Sequence, residues 1–272
     1  MFDTHAHLNF RAFEQNLDEV IKKAKDNGVE NIVIPGSNIA NSRKGIEIAQ
    51  KNEGMYAAVG IHPYHLYGHL VFKKSVEKDM EDLEKLLKEE KVVAIGEVGI
   101  DKHLYKNSKY PNYTVTEDLV NLQKVAFIQQ IKLAIKYKKS LIVHNRAATK
   151  EVLEILEENW SEVLEGRTVF HFCEENIDLL DFAKEHKVYI GVDGDVTYKK
   201  SAAEFVKKIP LELLVIETDS PYIIPEPLKS KGEKINQPAN LKLILEKLSE
   251  ILGVGQEEIE KVTVENAKNL FL

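Results

Sequence analysis

The chain alternates short apolar runs with longer amphipathic segments. The apolar runs are rich in β-branched residues and almost continuously hydrophobic at their centres, which is typical of parallel strands buried on both faces. From these runs we predict eight strands, at residues 2–7, 31–37, 55–63, 92–100, 140–146, 168–173, 187–194 and 213–220. The segments between them repeat apolar residues at helical spacing, as in 16–28, 78–90 and 149–160.

This regular alternation predicts an α/β fold built from βα units with a parallel sheet. Eight units favour a closed (β/α)8 TIM barrel, and a chain of 272 residues fits such a barrel as one domain, residues 1–272. An open, doubly wound sheet is the main alternative, but no G-x-G-x-x-G motif follows the first strand, which weakens it. Two long polar segments, 102–118 and 222–240, are predicted to be loops, the first of them over the mouth of the barrel.

Composition narrows the class of protein. No apolar run approaches the roughly 20 residues that span a bilayer, and residues 1–25 lack the features of a signal peptide. Cys173 is the only cysteine, which fits a reducing compartment, so we expect a cytoplasmic protein. The net charge of −7 argues against a broad basic surface for nucleic acid. A polyanionic substrate would need a local positive focus, which bound metal ions can supply.

Polar residues stand where the predicted strands end. The C-terminal ends of barrel strands form the active site of such folds, so polar residues there carry functional weight. Each of them taken alone has an ordinary explanation, such as a satisfied core histidine or a helix-capping aspartate. Their recurrence at the same end of successive strands predicts a metal centre instead. The residues are His5, His7, His62, Glu97, His144, His171 and Asp219.

The donor types are consistent with this interpretation. His5 and His7 are two apart, so in an extended strand their side chains project to the same face as a chelating pair. Four histidines and two carboxylates suit zinc, manganese or similar ions, whereas calcium prefers oxygen ligands alone. Six ligands are too many for one open catalytic ion. We therefore expect two divalent metal ions (Zn, Mn or Mg) that share a carboxylate.

Seven motifs give the chain a resemblance to a known family. They are "DTHAHL", "VGIHP", "GEVGID", "IVHNRAA", "FHF", "ETDSPY" and "INQP". The chain resembles the TatD-type metal-dependent deoxyribonucleases, which belong to the amidohydrolase-like TIM barrels. The resemblance implies that one ion is held by His5, His7 and Asp219, the other by His144 and His171, and that Glu97 bridges them.

The resemblance also implies roles beside the ions. His62 would lie near the substrate or just outside the ligands, and Arg146 would meet a phosphate, although a surface ion pair is its alternative. Asp101 would either orient a ligand or cap the backbone. Glu217 would either support a ligand or serve structural pairing.

Three departures from the family pattern put the substrate in question. The family usually has H-C-F-S-G at strand six, where this chain has "HFCEEN". Lys102 and His103 replace an aromatic pair after "GID", and the loop "KSKGEKINQP" lacks the usual arginines. Its lysines Lys229, Lys231 and Lys234 would either add positive charge at the mouth or be solvated surface.

We expect a hydrolase that cleaves DNA phosphodiester bonds with a dinuclear metal site, an exodeoxyribonuclease acting on single strands or strand ends. Water made acidic by the ions would attack, Glu97 would hold both ions, and Asp219 would take the proton. Nothing in the sequence indicates a membrane or protein partner. One alternative is a D-aminoacyl-tRNA deacylase or another ester or amide hydrolase with the same site. A binding barrel with a structural metal is disfavoured, because structural sites are closed by protein ligands.

Overall fold

The strands form the predicted barrel. The computed structural model describes residues 1–272 and contains one sheet of eight parallel strands in the order β1 to β8. The strands are β1 Phe2–Asp3, β2 Asn31–Ile34, β3 Met55–Val59, β4 Val92–Asp101, β5 Ser140–Arg146, β6 Thr168–His171, β7 Tyr189–Val192 and β8 Leu214–Ile216.

Helices connect every pair of neighbouring strands. They are α1 Leu17–Asp26, α2 Ile39–Lys51, α3 Leu66–Phe72, α4 Val76–Leu86, α5 Glu117–Tyr137, α6 Thr149–Asn159, α7 Ile177–His186 and α8 Lys200–Val206. Two more helices, α9 Leu241–Leu252 and α10 Gln256–Phe271, follow β8. In α1 the predicted stripe faces the core, with Val20, Ile21 and Ala24 buried. None of the helices is long and apolar enough to cross a bilayer.

The first and last strands meet at a seam formed by residues 4–7 and 216–220. The backbone N–H of Thr4 donates to Ile216 at 3.2 Å and that of His7 donates to Ser220 at 2.7 Å. Across the same seam, the Asp219 N–H donates to the His5 carbonyl at 2.9 Å. These bonds continue the sheet beyond the short β1 and β8, so the barrel is nearly closed.

The interior of the barrel is packed at its N-terminal end. One buried cluster takes a residue from every strand: Phe2, Val33, Ala58, Ala94, Ile142, Val169, Tyr189 and Val215. Ala267, Leu270 and Phe271 of α10 belong to the same cluster, and the rings of Phe2 and Phe271 lie 6.2 Å apart. The last helix therefore plugs the bottom of the barrel, and the opposite end is left for polar residues.

Several predicted strands are shorter in the structure. β1, β3 and β8 stop at Asp3, Val59 and Ile216, before the polar residues that were included in the predicted runs. At the mouth of the barrel, side-chain oxygens accept backbone N–H groups that carbonyls of a neighbouring strand would accept within a sheet. The Asp3 carboxylate, for example, accepts hydrogen bonds from the backbone N–H of His5 at 3.2 Å and of Thr218 at 3.0 Å. The predicted loop 102–118 contains no helix or strand as far as residue 116, and its last two residues belong to α5, which begins at Glu117.

Candidate metal centre at the mouth of the barrel

His5 and His7 lie side by side, as the sequence predicts. Both residues are buried, and their Nε2 atoms are 3.2 Å apart. They sit on the β1–β8 seam rather than in β1, and the backbone bonds of the seam fix their spacing. The two nitrogens therefore point to one place at the mouth of the barrel.

Glu97 lies between two groups of histidines. Its Oε2 atom is 3.5 Å from Nε2 of His5 and 3.6 Å from Nε2 of His7. Its Oε1 atom is 2.6 Å from Nδ1 of His144 and 3.7 Å from Nε2 of His171. The pairing of β4 with β5 shifts register between Ile95 and Val98, an irregularity that re-aims side chains near functional sites. The two carboxylate oxygens thus face two separate sets of nitrogens.

Asp219 completes the side of the cluster formed by the seam. Its Oδ1 atom is 3.6 Å from Nε2 of His7 and 3.9 Å from Nε2 of both His5 and His171. The residue is buried, with a left-handed φ of 48°. Asn236 fixes this turn, because its side-chain amide donates to the carbonyls of Thr218 at 2.9 Å and Ile223 at 3.0 Å.

Two outer carboxylates orient the histidines on the other side. Asp101 Oδ2 is 3.2 Å from Nε2 of His144, and Glu217 Oε1 is 2.8 Å from Nδ1 of His171. In each ring the remaining nitrogen faces Glu97. Carboxylates in this position commonly fix the tautomer of a metal-binding histidine. Asp101 also accepts the backbone N–H of His103 at 2.8 Å, so both of its expected roles have contacts in the structure.

Glu217 requires a glycine on the neighbouring strand. A Cβ atom at Gly191 of β7 would lie 2.5 Å from Glu217 Oε1, so only glycine leaves room for this carboxylate. The same oxygen accepts the backbone N–H of Phe172 at 2.7 Å, and the other oxygen accepts the hydroxyl of Thr4 at 3.0 Å. Glu217 therefore supports His171 and also ties three strands together.

His62 lies in the wall of the cluster. Its Nδ1 accepts the backbone N–H of Tyr64 at 3.1 Å, so its hydrogen is on Nε2 when the ring is neutral. That Nε2 is 3.4 Å from Glu97 Oε1, and the ring lies 4.3 Å from the ring of His144. The histidine is thus positioned to donate a hydrogen bond into the mouth.

Arg146 ends β5 beside the cluster. Its Nη1 donates to the hydroxyl of Tyr105 at 3.0 Å, and the guanidinium lies 5.3 Å above the ring of the same tyrosine. No carboxylate lies within 4.0 Å of its guanidinium nitrogens, so Arg146 forms no ion pair in the structure. The ion-pair alternative raised by the sequence is therefore wrong.

Burial sets the protonation of the seam side. It lowers the pKa of His5 and, with His5 as a like charge, holds the pKa of His7 well below its usual value. Both rings are therefore neutral, the form that binds metal. Burial alone would raise the pKa of Glu97, but His62 and His171 hold it well below the usual range. A neutral histidine pair thus faces an ionised carboxylate.

The histidines on the other side of the cluster, His144 and His171, have raised pKa values. Burial would lower the pKa of both histidines, but Asp101 and Glu97 raise that of His144 to about 10. Glu217 and Glu97 raise that of His171 to about 9. A cation at these nitrogens would have to displace a proton, so metal binding here should release protons.

The whole chain matches one protein family. The family model described as TatD related DNase covers residues 2–272. The chain belongs to the TatD family. It is 36% identical to the uncharacterized metal-dependent hydrolase YabD of Bacillus subtilis, over 100% of this chain and 98% of that one. It is 29% identical to the 3'-5' ssDNA/RNA exonuclease TatD of Escherichia coli, again over 100% and 98%.

A solved structure agrees with this placement. The TatD homologue YjjV from Escherichia coli K12 superposes with a TM-score of 0.84, at 26% identity, and the match covers 100% of this chain and 97% of that one. The predicted family and the TIM barrel are therefore confirmed. The protein is a metal-dependent hydrolase of the TatD family.

The TatD cluster contains four groups of three donors that could hold a metal ion, and two of these groups include Glu97. The ligand atoms of His5, His7 and Glu97 lie within 4.8 Å of one another, and so do those of Glu97, His144 and His171. The two sets share Glu97 alone. Nitrogen and carboxylate donors of this kind suit zinc or manganese.

Sequence reasoning missed two features of this TatD mouth. Tyr105 lies in the insertion of residues 102–116, the polar loop after β4, and contacts both Asp101 and Arg146. Its only sequence signal is its position four residues after Asp101. Strand β7 was given no site residue, yet Asp193 follows it and is buried, with its pKa held well above the usual value by burial and by Asp195.

The three lysines of the loop after β8 that the sequence singled out, Lys229, Lys231 and Lys234, are exposed, and Lys229 lies over the ring of Tyr198.

Proposed function

We propose that this TatD protein hydrolyses phosphodiester bonds of DNA, with residues 1–272 acting as one domain. It would remove nucleotides from a single strand or a strand end, using two divalent ions. The observation that carries the proposal is the position of the Glu97 carboxylate. Its Oε2 atom faces one donor set, and its Oε1 atom faces the other. The name of the Escherichia coli relative, a 3'-5' ssDNA/RNA exonuclease, supports the choice of substrate.

The proposed ligands are the two sets together with Asp219, whose Oδ1 lies 3.6 Å from Nε2 of His7. His5, His7 and Asp219 would hold one ion, His144 and His171 the other, and Glu97 would bridge them. When bound, divalent ions acidify water and neutralise phosphate charge. Two such ions against two carboxylates leave roughly +2, which gives an acidic protein a local focus for a polyanion.

The chain's own residues supply the remaining steps. Asp219 Oδ1, which faces the three histidine nitrogens, accepts the proton of the attacking water. Arg146 binds the phosphate, since its guanidinium has no carboxylate partner and matches phosphate geometry. His62 donates from Nε2 into the same space.

A direct assay tests the proposal. Purified protein with Mn²⁺, Mg²⁺ or Zn²⁺ is incubated with single-stranded DNA labelled at either end, with duplex DNA and with D-aminoacyl-tRNA. We expect stepwise release of nucleotides from the single strand, abolished by EDTA and by Asp219→Asn, which controls for contaminating nucleases. The end from which nucleotides leave gives the polarity.

If the protein deacylates D-aminoacyl-tRNA and leaves DNA uncleaved, the DNA assignment is wrong but the proposed chemistry of the site stands. One observation favours this second candidate. The carboxylate of Glu174, from the unusual "HFCEEN" segment, accepts the backbone N–H of Ala147 at 2.8 Å and the amide of Asn145 at 3.0 Å. Its negative charge lies at the backbone next to Arg146 and disfavours a reacting phosphodiester there, whereas the reacting ester of an aminoacyl-tRNA is uncharged.

A further inference from the structure

Tyr105 connects the substrate side of the mouth with the ligand side. Its hydroxyl has one hydrogen, which it donates to Asp101 Oδ2 at 2.6 Å. The Tyr105 hydroxyl oxygen itself accepts a hydrogen bond from Nη1 of Arg146 at 3.0 Å. Asp101 in turn is 3.2 Å from Nε2 of His144. The four groups form a continuous hydrogen-bonded chain from Arg146 to His144.

The chemistry of the groups gives this chain one direction. Arginine only donates and an ionised aspartate only accepts, so the tyrosine must accept from Arg146 and donate to Asp101. Burial and the Asp101 carboxylate raise the pKa of Tyr105, which keeps its hydroxyl a donor. No alternative hydrogen-bond arrangement competes.

Packing holds the ring of Tyr105 in place. It meets Tyr64 edge-on at 5.1 Å and His103 edge-on at 4.8 Å, and the ring of Tyr113 lies 5.9 Å away. Tyr64 belongs to the loop after β3, so the insertion is anchored to the barrel and not only to itself. The hydroxyl therefore has a fixed position from which to hold the guanidinium.

The phenol of Tyr105 holds Arg146 without neutralising its charge, which a carboxylate partner would do. An acidic partner would fix Arg146 equally well but would neutralise its charge. The neutral hydroxyl, together with the face of the ring at 5.3 Å, orients the guanidinium and leaves its charge available for an anion.

We propose that Tyr105 is a positioning residue that holds Arg146 ready to bind a phosphate of the substrate. The inference deepens the proposed function and rests on it for the identity of the anion. It also assigns a role to the insertion of residues 102–116, which supplies this tyrosine in a chain that lacks the aromatic pair usual after "GID".

The test compares Tyr105→Phe with a matched control from the same insertion. Tyr113→Phe removes a hydroxyl that is buried but has no hydrogen-bond partner. Arg146→Ala and the double variant Tyr105→Phe/Arg146→Ala complete the set. Binding of fluorescein-labelled single-stranded DNA is measured by anisotropy in EDTA, where no turnover occurs, and kcat/KM is measured with Mn²⁺. Melting temperatures report the fold.

We expect Tyr105→Phe to weaken DNA binding and to lower kcat/KM about tenfold, because a hydrogen bond to a charged group is lost. Tyr113→Phe should stay within about twofold of the parent. In the Arg146→Ala background, Tyr105→Phe should add less than twofold, because the tyrosine acts through the arginine. Equal behaviour of the two Phe variants, or fully additive losses in the double variant, would overturn the inference.

A second probe separates this inference from the proposed function. If the parent neither binds nor cleaves DNA, the proposed substrate is wrong. Binding of inorganic phosphate to the parent and the four variants, measured by calorimetry, then decides the role of Tyr105. The same order of effects supports the inference, and phosphate affinities that do not depend on Tyr105 overturn it.

Discussion

Replacing Glu97 by glutamine should disable both halves of the cluster at once. Oε2 of Glu97 lies 3.5 and 3.6 Å from Nε2 of His5 and His7. Oε1 lies 2.6 Å from Nδ1 of His144 and 3.7 Å from Nε2 of His171. Glutamine keeps the shape but has one oxygen and one NH2 group, so one half would face a donor that cannot bind a cation. We expect one ion to be lost and the other to bind more weakly.

The weaker binding of the remaining ion can be calculated from the negative charge that Glu97→Gln removes. About half a unit of charge per oxygen, acting on a divalent ion at about 4 Å with an effective dielectric constant of about 20, is worth about 4 kcal/mol. The amide oxygen recovers part of this through its dipole. The dissociation constant of the remaining ion should therefore rise about a hundredfold.

Metal content and calorimetry measure both effects. The variant and the parent are loaded with Mn²⁺, passed through a desalting column and analysed for manganese per chain, and the affinity is then titrated. Glu174→Gln is the matched control: it removes the same charge near the mouth, but its carboxylate contacts Asn145, Ala147 and Thr149 instead of the cluster. A Glu97→Gln protein that loses one ion and keeps the other at parental affinity would refute the bridge.

Three further predictions concern the two ends of the barrel. Changing His5 and His7 together to alanine should remove one ion while the circular dichroism of the barrel is retained; unchanged elemental analysis would contradict the seam-side site. Asp219→Asn should keep DNA binding but slow single-turnover cleavage by ~10²- to 10⁴-fold, and a variant with both ions and the parental rate would remove Asp219 from the mechanism. Leu270→Ala in the α10 plug should cost ~2–5 kcal/mol in urea unfolding with metal content unchanged; a parallel loss of metal would contradict the separation of plug and mouth.

The sequence predicts the barrel well because the relevant signal is local. Parallel strands covered on both faces must be apolar throughout, so runs such as 140–146 are visible without any knowledge of their neighbours. Polar residues that interrupt such runs at one end, such as His144 and His171, are visible for the same reason. The structure brings these residues together because neighbouring parallel strands end at one edge.

Other features depend on contacts between distant segments, and no local pattern contains them. The partner of Tyr105 is decided by how residues 102–116 pack against Tyr64, which lies after β3. The plug formed by α10 needs the inner residues of all eight strands. The six metal ligands, the substrate-binding roles of His62 and Arg146, the single domain and the cytoplasmic location stay predictions.

The β1–β8 seam makes the order of synthesis matter for the proposed metal centre. His5 and His7 are synthesised before Asp219, whose N–H donates to the His5 carbonyl and which follows more than two hundred residues later. Closing the ring and completing the seam-side ligand set are therefore one event. A nascent or partly unfolded chain presents only a histidine pair, so ion capture on that side should report ring closure, and local opening of the seam would release the ion while the other strands remain paired.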